Sequence, residues 1–174
     1  MSCQRMLALA IMASLMLGAA PIARAHVTLE TQQAQVGSLY KAVFRVPHGC
    51  DGAATVALRI KIPEGVIAVK PMPKPGWQLA TVKGKYEQAY DYYGTPMSEG
   101  VVEVGWSGGK LLDEHYDEFV FRGQLPNRPG EVVHFPVVSE CEKGVDRWIE
   151  IPAAGQNAGS LRFPAPSLRL TPRN

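Results

Sequence analysis

Apolar and polar residues alternate along most of this chain with a period of two, the spacing of strands half-buried on one face. Thr55 to Pro63 (TVALRIKIP) places Val56, Leu58, Ile60 and Ile62 on one side and Ala57, Arg59 and Lys61 on the other. Tyr40, Ala42, Phe44 and Val46 follow the same rule, as do Val102, Val104 and Trp106 around Glu103. Phe119 with Phe121, then Val133, Phe135 and Val137, and finally Ile149 with Ile151 continue it. Setting aside Pro21 and Gly18, 13 of the 14 prolines and 16 of the 17 glycines lie beyond residue 25, spread too evenly to leave room for a helix of ordinary length. Six or more short strands need a second sheet to cover their apolar faces. The pattern predicts an all-β fold, an antiparallel two-sheet sandwich of immunoglobulin or cupredoxin type. No repeat or linker divides residues 26–174, which form a single domain. Ala153 to Ser160 (AAGQNAGS) reads as a turn region, and Ser167 to Asn174 as a last edge strand or a loose tail, so 153–174 is expected to be partly loose.

The first 25 residues change the picture. Arg5, the apolar run Met6 to Ala20 and the small-residue sequence Ala23-Arg24-Ala25 form the three parts of a secretory signal peptide, with cleavage after Ala25. The apolar run is shorter than the ~20 residues of a bilayer crossing, and none like it follows. The domain is therefore expected in the periplasm or otherwise exported. Removing Arg5 and Arg24 from the 18 basic residues leaves 16 against 16 acidic ones, a balance that argues against nucleic acid or an anionic membrane as the main partner. Cys3 leaves with the signal. Cys50 and Cys141 are then the only thiols in an oxidising space, and they are expected to pair. Closing a 91-residue separation would remove denatured-state entropy worth roughly 4 kcal/mol.

Cleavage directly before His26 would create a free α-amine next to an imidazole, two nitrogens able to close a chelate ring on one metal ion. Copper(II) suits such ligands best among divalent first-row ions. If Phe119 and Phe121 face the core, Glu118 faces the other way. If Ile149 and Ile151 face the core, Trp148 is an aromatic on the opposite face beside Glu150. His48, in a turn before Gly49-Cys50, reads as a surface or supporting group. His115 is expected to face away from Glu118, and His134 to be exposed between Val133 and Phe135. Met72 and Met97 are isolated, unlike the clustered thioethers of a copper(I) carrier.

The chain resembles the YcnI-like family of bacterial exported copper-binding proteins. The residues that carry the likeness are His26-Val27-Thr28, Pro47-His48-Gly49-Cys50-Asp51-Gly52 and Lys70-Pro71-Met72-Pro73-Lys74-Pro75-Gly76-Trp77. Tyr116-Asp117-Glu118-Phe119, Cys141 with Lys143-Gly144, Trp148-Ile149-Glu150 and Pro164-Ala165-Pro166-Ser167-Leu168 extend it through nearly the whole domain. The resemblance implies a copper(II) site built from the amine and imidazole of His26 and the carboxylate of Glu118, next to Trp148; Asp117 and Glu114 are the alternatives to Glu118. It also implies a role in copper acquisition, handling or delivery rather than catalysis. The implied partners are the copper ion and either another periplasmic copper chaperone or a membrane copper transporter, with the protein a monomer or a metal-bridged dimer. Two other readings stay open on the residues themselves. One is a copper-dependent monooxygenase, which would need a second histidine from His48, His115 or His134; the other is a metal-free interaction module.

Overall fold

The computed structural model describes residues 26–173, so the signal-peptide segment, with Arg5, Met6 to Ala20 and the cleavage sequence, lies outside the described residues. Among the described residues no helix is long and apolar enough to cross a membrane. Regular structure is almost entirely extended: β1 Thr28–Leu29, β2 Gln33–Gln35, β3 Leu39–Val46, β4 Thr55–Lys61, β5 Ile67–Pro71, β6 Gln78–Tyr92, β7 Thr95–Leu111, β8 Asp117–Gln124, β9 Val132–His134, β10 Val137–Cys141, β11 Val145–Trp148 and β12 Ser167–Thr171. A three-residue 3-10 turn at Ala158–Ser160 sits in the predicted turn region.

A four-stranded sheet in the order β1-β3-β8-β5 lies against a five-stranded sheet in the order β11-β10-β4-β7-β6, and β2-β12-β9 form a smaller third sheet. The pairing is antiparallel throughout the two large sheets. The predicted faces close on one another. Phe44, Phe119 and Phe121 from one sheet and Leu58, Ile60, Val104, Trp106 and Val137 from the other are all buried. Edge-on rings join the layers: Trp106 meets Phe119 at 5.5 Å between centroids and Phe44 meets Phe135 at 5.7 Å, geometries that aromatic quadrupoles favour.

Beyond the sandwich, β6 and β7 run on as a long hairpin whose outer half is largely exposed. Its two-residue turn needs positive φ at both positions, and Tyr93 (52°) and Gly94 (82°) supply it between Tyr92 and Thr95.

Three expectations are revised. The end of the chain is neither an edge strand nor a tail over Ser167–Thr171. That strand is central in the small sheet, parallel to β2 and antiparallel to β9, with Leu168 and Leu170 buried. Second, Ile149 and Ile151 do not face the core; they are exposed, whereas Trp148 is buried. The strand ends at Trp148, Glu150 leaves the sheet to bridge Pro164, and the larger apolar surface of the indole takes the inward position. Third, His134 is half-buried rather than exposed, because β9 is covered by β12 along the Ser167–His134 pair. Desolvation lowers its imidazole from the ordinary 6.5, with the Ala165 backbone opposing in part.

Cys50 and Cys141 are joined, with Cα atoms 5.9 Å apart. The bond ties the turn after β3 to the end of β10.

Leu168→Ala should cost about 2–5 kcal/mol in urea unfolding, the penalty of a core cavity, where a loose tail would cost nothing. His134 predicts a pH effect. Because its pKa is lowered on folding, the unfolded chain binds the proton more readily, and stability present above pH 6.5 is lost as pH falls through the lowered value. His134→Gln should flatten that acid limb in urea midpoints measured from about pH 7.5 to about pH 5.

Candidate metal centre

At one end of the sandwich, β1 delivers His26. Val27 and Leu29 are buried, and Thr28 pairs with Arg45 and Leu29 with Phe44, so the first residues are held against β3. Carrying that register two residues further along β1 sets His26 level with Pro47, next to His48. The two imidazoles share one neighbour. His26 and His48 each lean edge-on against the indole of Trp148, with ring centroids 5.5 and 6.4 Å away and interplanar angles of 75° and 69°. Phe163 closes the indole from a further side at 5.1 Å.

The loop that carries His48 is tightly fixed. The Gly49 N–H donates to Asp113 Oδ1 at 2.9 Å, and Cys50 and Ala53 exchange both backbone hydrogen bonds across a turn with positive φ at Asp51 and Gly52. A Cβ at Gly49 would stand 1.9 Å from the Ala53 carbonyl oxygen, so only glycine fits there. The disulfide fixes the next residue. His48 Nδ1 lies 2.5 Å from the Gly49 carbonyl oxygen, which can only accept, so the proton belongs on Nδ1 and the lone pair on Nε2.

Glu118 is elsewhere. It sits opposite Arg45 on the outer face of β8, where its carboxylate accepts from the Tyr116 hydroxyl and lies 3.8 Å from Arg45 Nε. Desolvation, then the Glu118 carboxylate, raises the pKa of the Tyr116 hydroxyl. Asp117 is held by Lys74 Nζ at 2.6 Å, and Glu114 is exposed beside His115. His115 belongs to a turn ahead of β8, so strand parity does not place it. Among the described residues no three His, Cys, Asp or Glu side chains gather as a metal-holding group. Of the expected set, the structure therefore brings His26 and Trp148 together and leaves Glu118 in an ion-pair cluster with Arg45 and Glu30. Reading the sequence underrated His48. The signal was present: His48 lies two residues beyond Val46, the last inward residue of the strand that pairs with the His26 segment.

The donors at Trp148 are two imidazoles. Hydrolysis of the Ala25–His26 bond would turn a non-coordinating amide into an amine and add a third nitrogen to the same end. Such a set suits copper(II), and it contains no sulfur to favour copper(I).

A family model described as a domain of unknown function, DUF1775, matches residues 26–170. No curated protein matches the chain. Among solved structures, an uncharacterized protein from Nocardia farcinica with an immunoglobulin-like fold is 26% identical, with a TM-score of 0.63, over 84% of this chain and 98% of that one. A cohesin module from a Clostridium perfringens family 33 glycoside hydrolase is 10% identical, with a TM-score of 0.47, over 85% and 97%.

Gly49→Ala should force the loop open. The expected result is a loss of about 1–3 kcal/mol together with loss of the ring-current shift that Trp148 imposes on the His48 imidazole protons, read by NMR.

Proposed function

We propose that this chain, which belongs to the DUF1775 family, is an exported copper(II)-binding protein of the YcnI-like kind that holds copper and hands it on. The observation that carries this reading is the convergence of His26 and His48 on one buried indole at the end of the sandwich. Cleavage of the signal peptide after Ala25 arms the site by releasing the His26 amine. Amine and imidazole of His26 then chelate the ion, and Nε2 of His48 completes a three-nitrogen set. His48 replaces Glu118 in this reading, because Glu118 is already engaged by Arg45 and Tyr116.

Copper is cargo here. Each residue acts by binding or shaping: His26 supplies the chelate, the glycine turn and disulfide hold His48, and Trp148 gives both rings a rigid wall that excludes water on one side. An open site at a chain terminus leaves room for a ligand from a partner chaperone or transporter, which is what transfer requires. The same end opens onto a cleft of about 210 Å³ lined by His26, Val27, Gln32, Pro164 and Pro166 among others.

Two histidines near one ion also admit oxygen chemistry, so the monooxygenase reading now has a specific residue, His48, behind it. Peroxide release on adding ascorbate and copper, with oxidative cleavage of a glycan, would favour that enzyme over a carrier.

The deciding comparison is copper(II) titration followed by electron paramagnetic resonance on protein beginning at His26 and on the same protein with one extra alanine before it. The first should give a one-equivalent, nitrogen-rich spectrum that collapses in the second. His26→Ala should lower affinity by about two orders of magnitude or more, and His48→Ala by about 10-fold or more, with the melting temperature of the metal-free protein nearly unchanged. Glu118→Gln should leave affinity as it is. A large loss there, with His48→Ala silent, would return the carboxylate to the site.

A further inference from the structure

The disulfide has a second possible chemistry. Its Cys50 half lies two residues beyond His48 and lines an open cleft of about 590 Å³, together with Asp51, Gly52, Glu142, Lys143 and Gly144 among others. Glycines leave the approach clear. A Cβ at Gly52 would meet nothing within 4 Å, and one at Gly144 would rest 3.8 Å from Cys50 Cβ. Cys50 is the half of the bond that lines this cleft, and Cys141, its half-buried partner, lies just behind it.

The surroundings also suit separated sulfurs. Cys50 Sγ is 3.8 Å from the Ser139 carbonyl oxygen, an acceptor for a thiol proton, and Cys141 Sγ is 3.6 Å from the Thr55 hydroxyl, a donor to a thiolate. Neither half of the opened bond would be stranded in an apolar wall. The strands that carry them stay paired without the bond, since β10 is hydrogen-bonded along both edges and Cys50 keeps its bridge to Ala53.

We propose that reduction turns Cys50 and Cys141 into a dithiolate site for copper(I), adjoining the nitrogen site for copper(II). An external dithiol attacks one sulfur of the bond, expels the other as thiolate, and then departs as its own cyclic disulfide, leaving the first sulfur as thiolate too, so two electrons pass to the protein and the dithiol is oxidised. Copper(I), arriving already reduced, then displaces the two thiol protons and is held by two sulfurs with no change in its oxidation state. Soft thiolates select copper(I) where the three nitrogens select copper(II). The protein would thus hold either oxidation state, chosen by the state of one bond. This inference shares only the cargo with the preceding reading.

The test uses the processed protein, reduced with a phosphine, freed of the reductant without oxygen, and titrated with copper(I) against a chromogenic copper(I) chelator. The reduced protein should take one equivalent and show thiolate-to-copper absorption in the near ultraviolet. The oxidised protein should yield the metal to the chelator, with an affinity lower by at least about a thousandfold. Cys141→Ser, held under the same conditions, should behave like the oxidised form, and circular dichroism with a melting curve checks that it is folded. Copper(I) should also raise the melting temperature of the reduced protein. Equal copper(I) retention by reduced and oxidised protein would overturn the proposal, and so would a reduced chain that no longer folds. Copper(II) resonance on the oxidised protein keeps the two sites apart: loss of that signal with copper(I) binding intact removes only the nitrogen site, and the reverse removes only the dithiolate.

Discussion

The ladder between β3 and β8 is the contact on which both the core and the histidine end depend. Eight consecutive pairs, from Leu39–Gln124 to Val46–Asp117, fix the register of the two strands. A slip by one residue between them would turn either Phe44 or the pair Phe119 and Phe121 out of the core, because side chains alternate faces. β1 is hung on the other edge of β3, and the His48 loop begins where β3 stops. His26 and His48 therefore meet at Trp148 for a reason set far from either: the core aromatics choose the register, and the register sets where the strand ends.

The sequence announced the parts of this arrangement that obey a period of two. β3, β4 and β8 lie where alternation put them, and the two large sheets enclose the expected residues. It misled where the chain leaves a strand. After Trp148 the backbone turns toward Pro164, so parity counted backward from Ile149 and Ile151 assigned the indole to the wrong face. β12 was hidden for a different reason. Its two inward residues, Leu168 and Leu170, are too few to distinguish a strand from a tail, and its partners β2 and β9 are three residues each and distant in the chain. The candidate site suffered from the same limit. Parity located Glu118 correctly on the outer face, but Arg45 opposite, which occupies it together with Tyr116 two residues earlier, is a matter of cross-strand register.

Electrostatics keeps the outer face and the histidine end separate. Glu30, just after β1, with Arg45 on β3 and Glu118 on β8, forms one chain of alternating charge on the outer face. Exposed pairs of this kind contribute little individually, roughly 0–1 kcal/mol, yet they set which partner a carboxylate faces. Recruiting Glu118 to a metal would break its contacts with Arg45 and Tyr116 and leave an arginine with one acidic neighbour instead of two. His26 and His48 share a neutral indole as neighbour, which competes for neither imidazole's nitrogens.

The division of labour at that end follows from where rigidity is placed. His26 lies outside the hydrogen-bonded ladder, ahead of two buried residues that anchor its strand, so the imidazole can change without unpicking the sandwich. His48 is the opposite case, fixed by Asp113, by a turn that admits only glycine at position 49, and by a covalent bond one residue further on. In the proposed carrier, one histidine ahead of the ladder and one fixed in a loop, beside a rigid wall, would suit exchange better than permanent binding. Under that proposal the fixed half would preserve the geometry between loadings, and displacing His26, which pairs with no strand, would let exchange proceed without unfolding any strand.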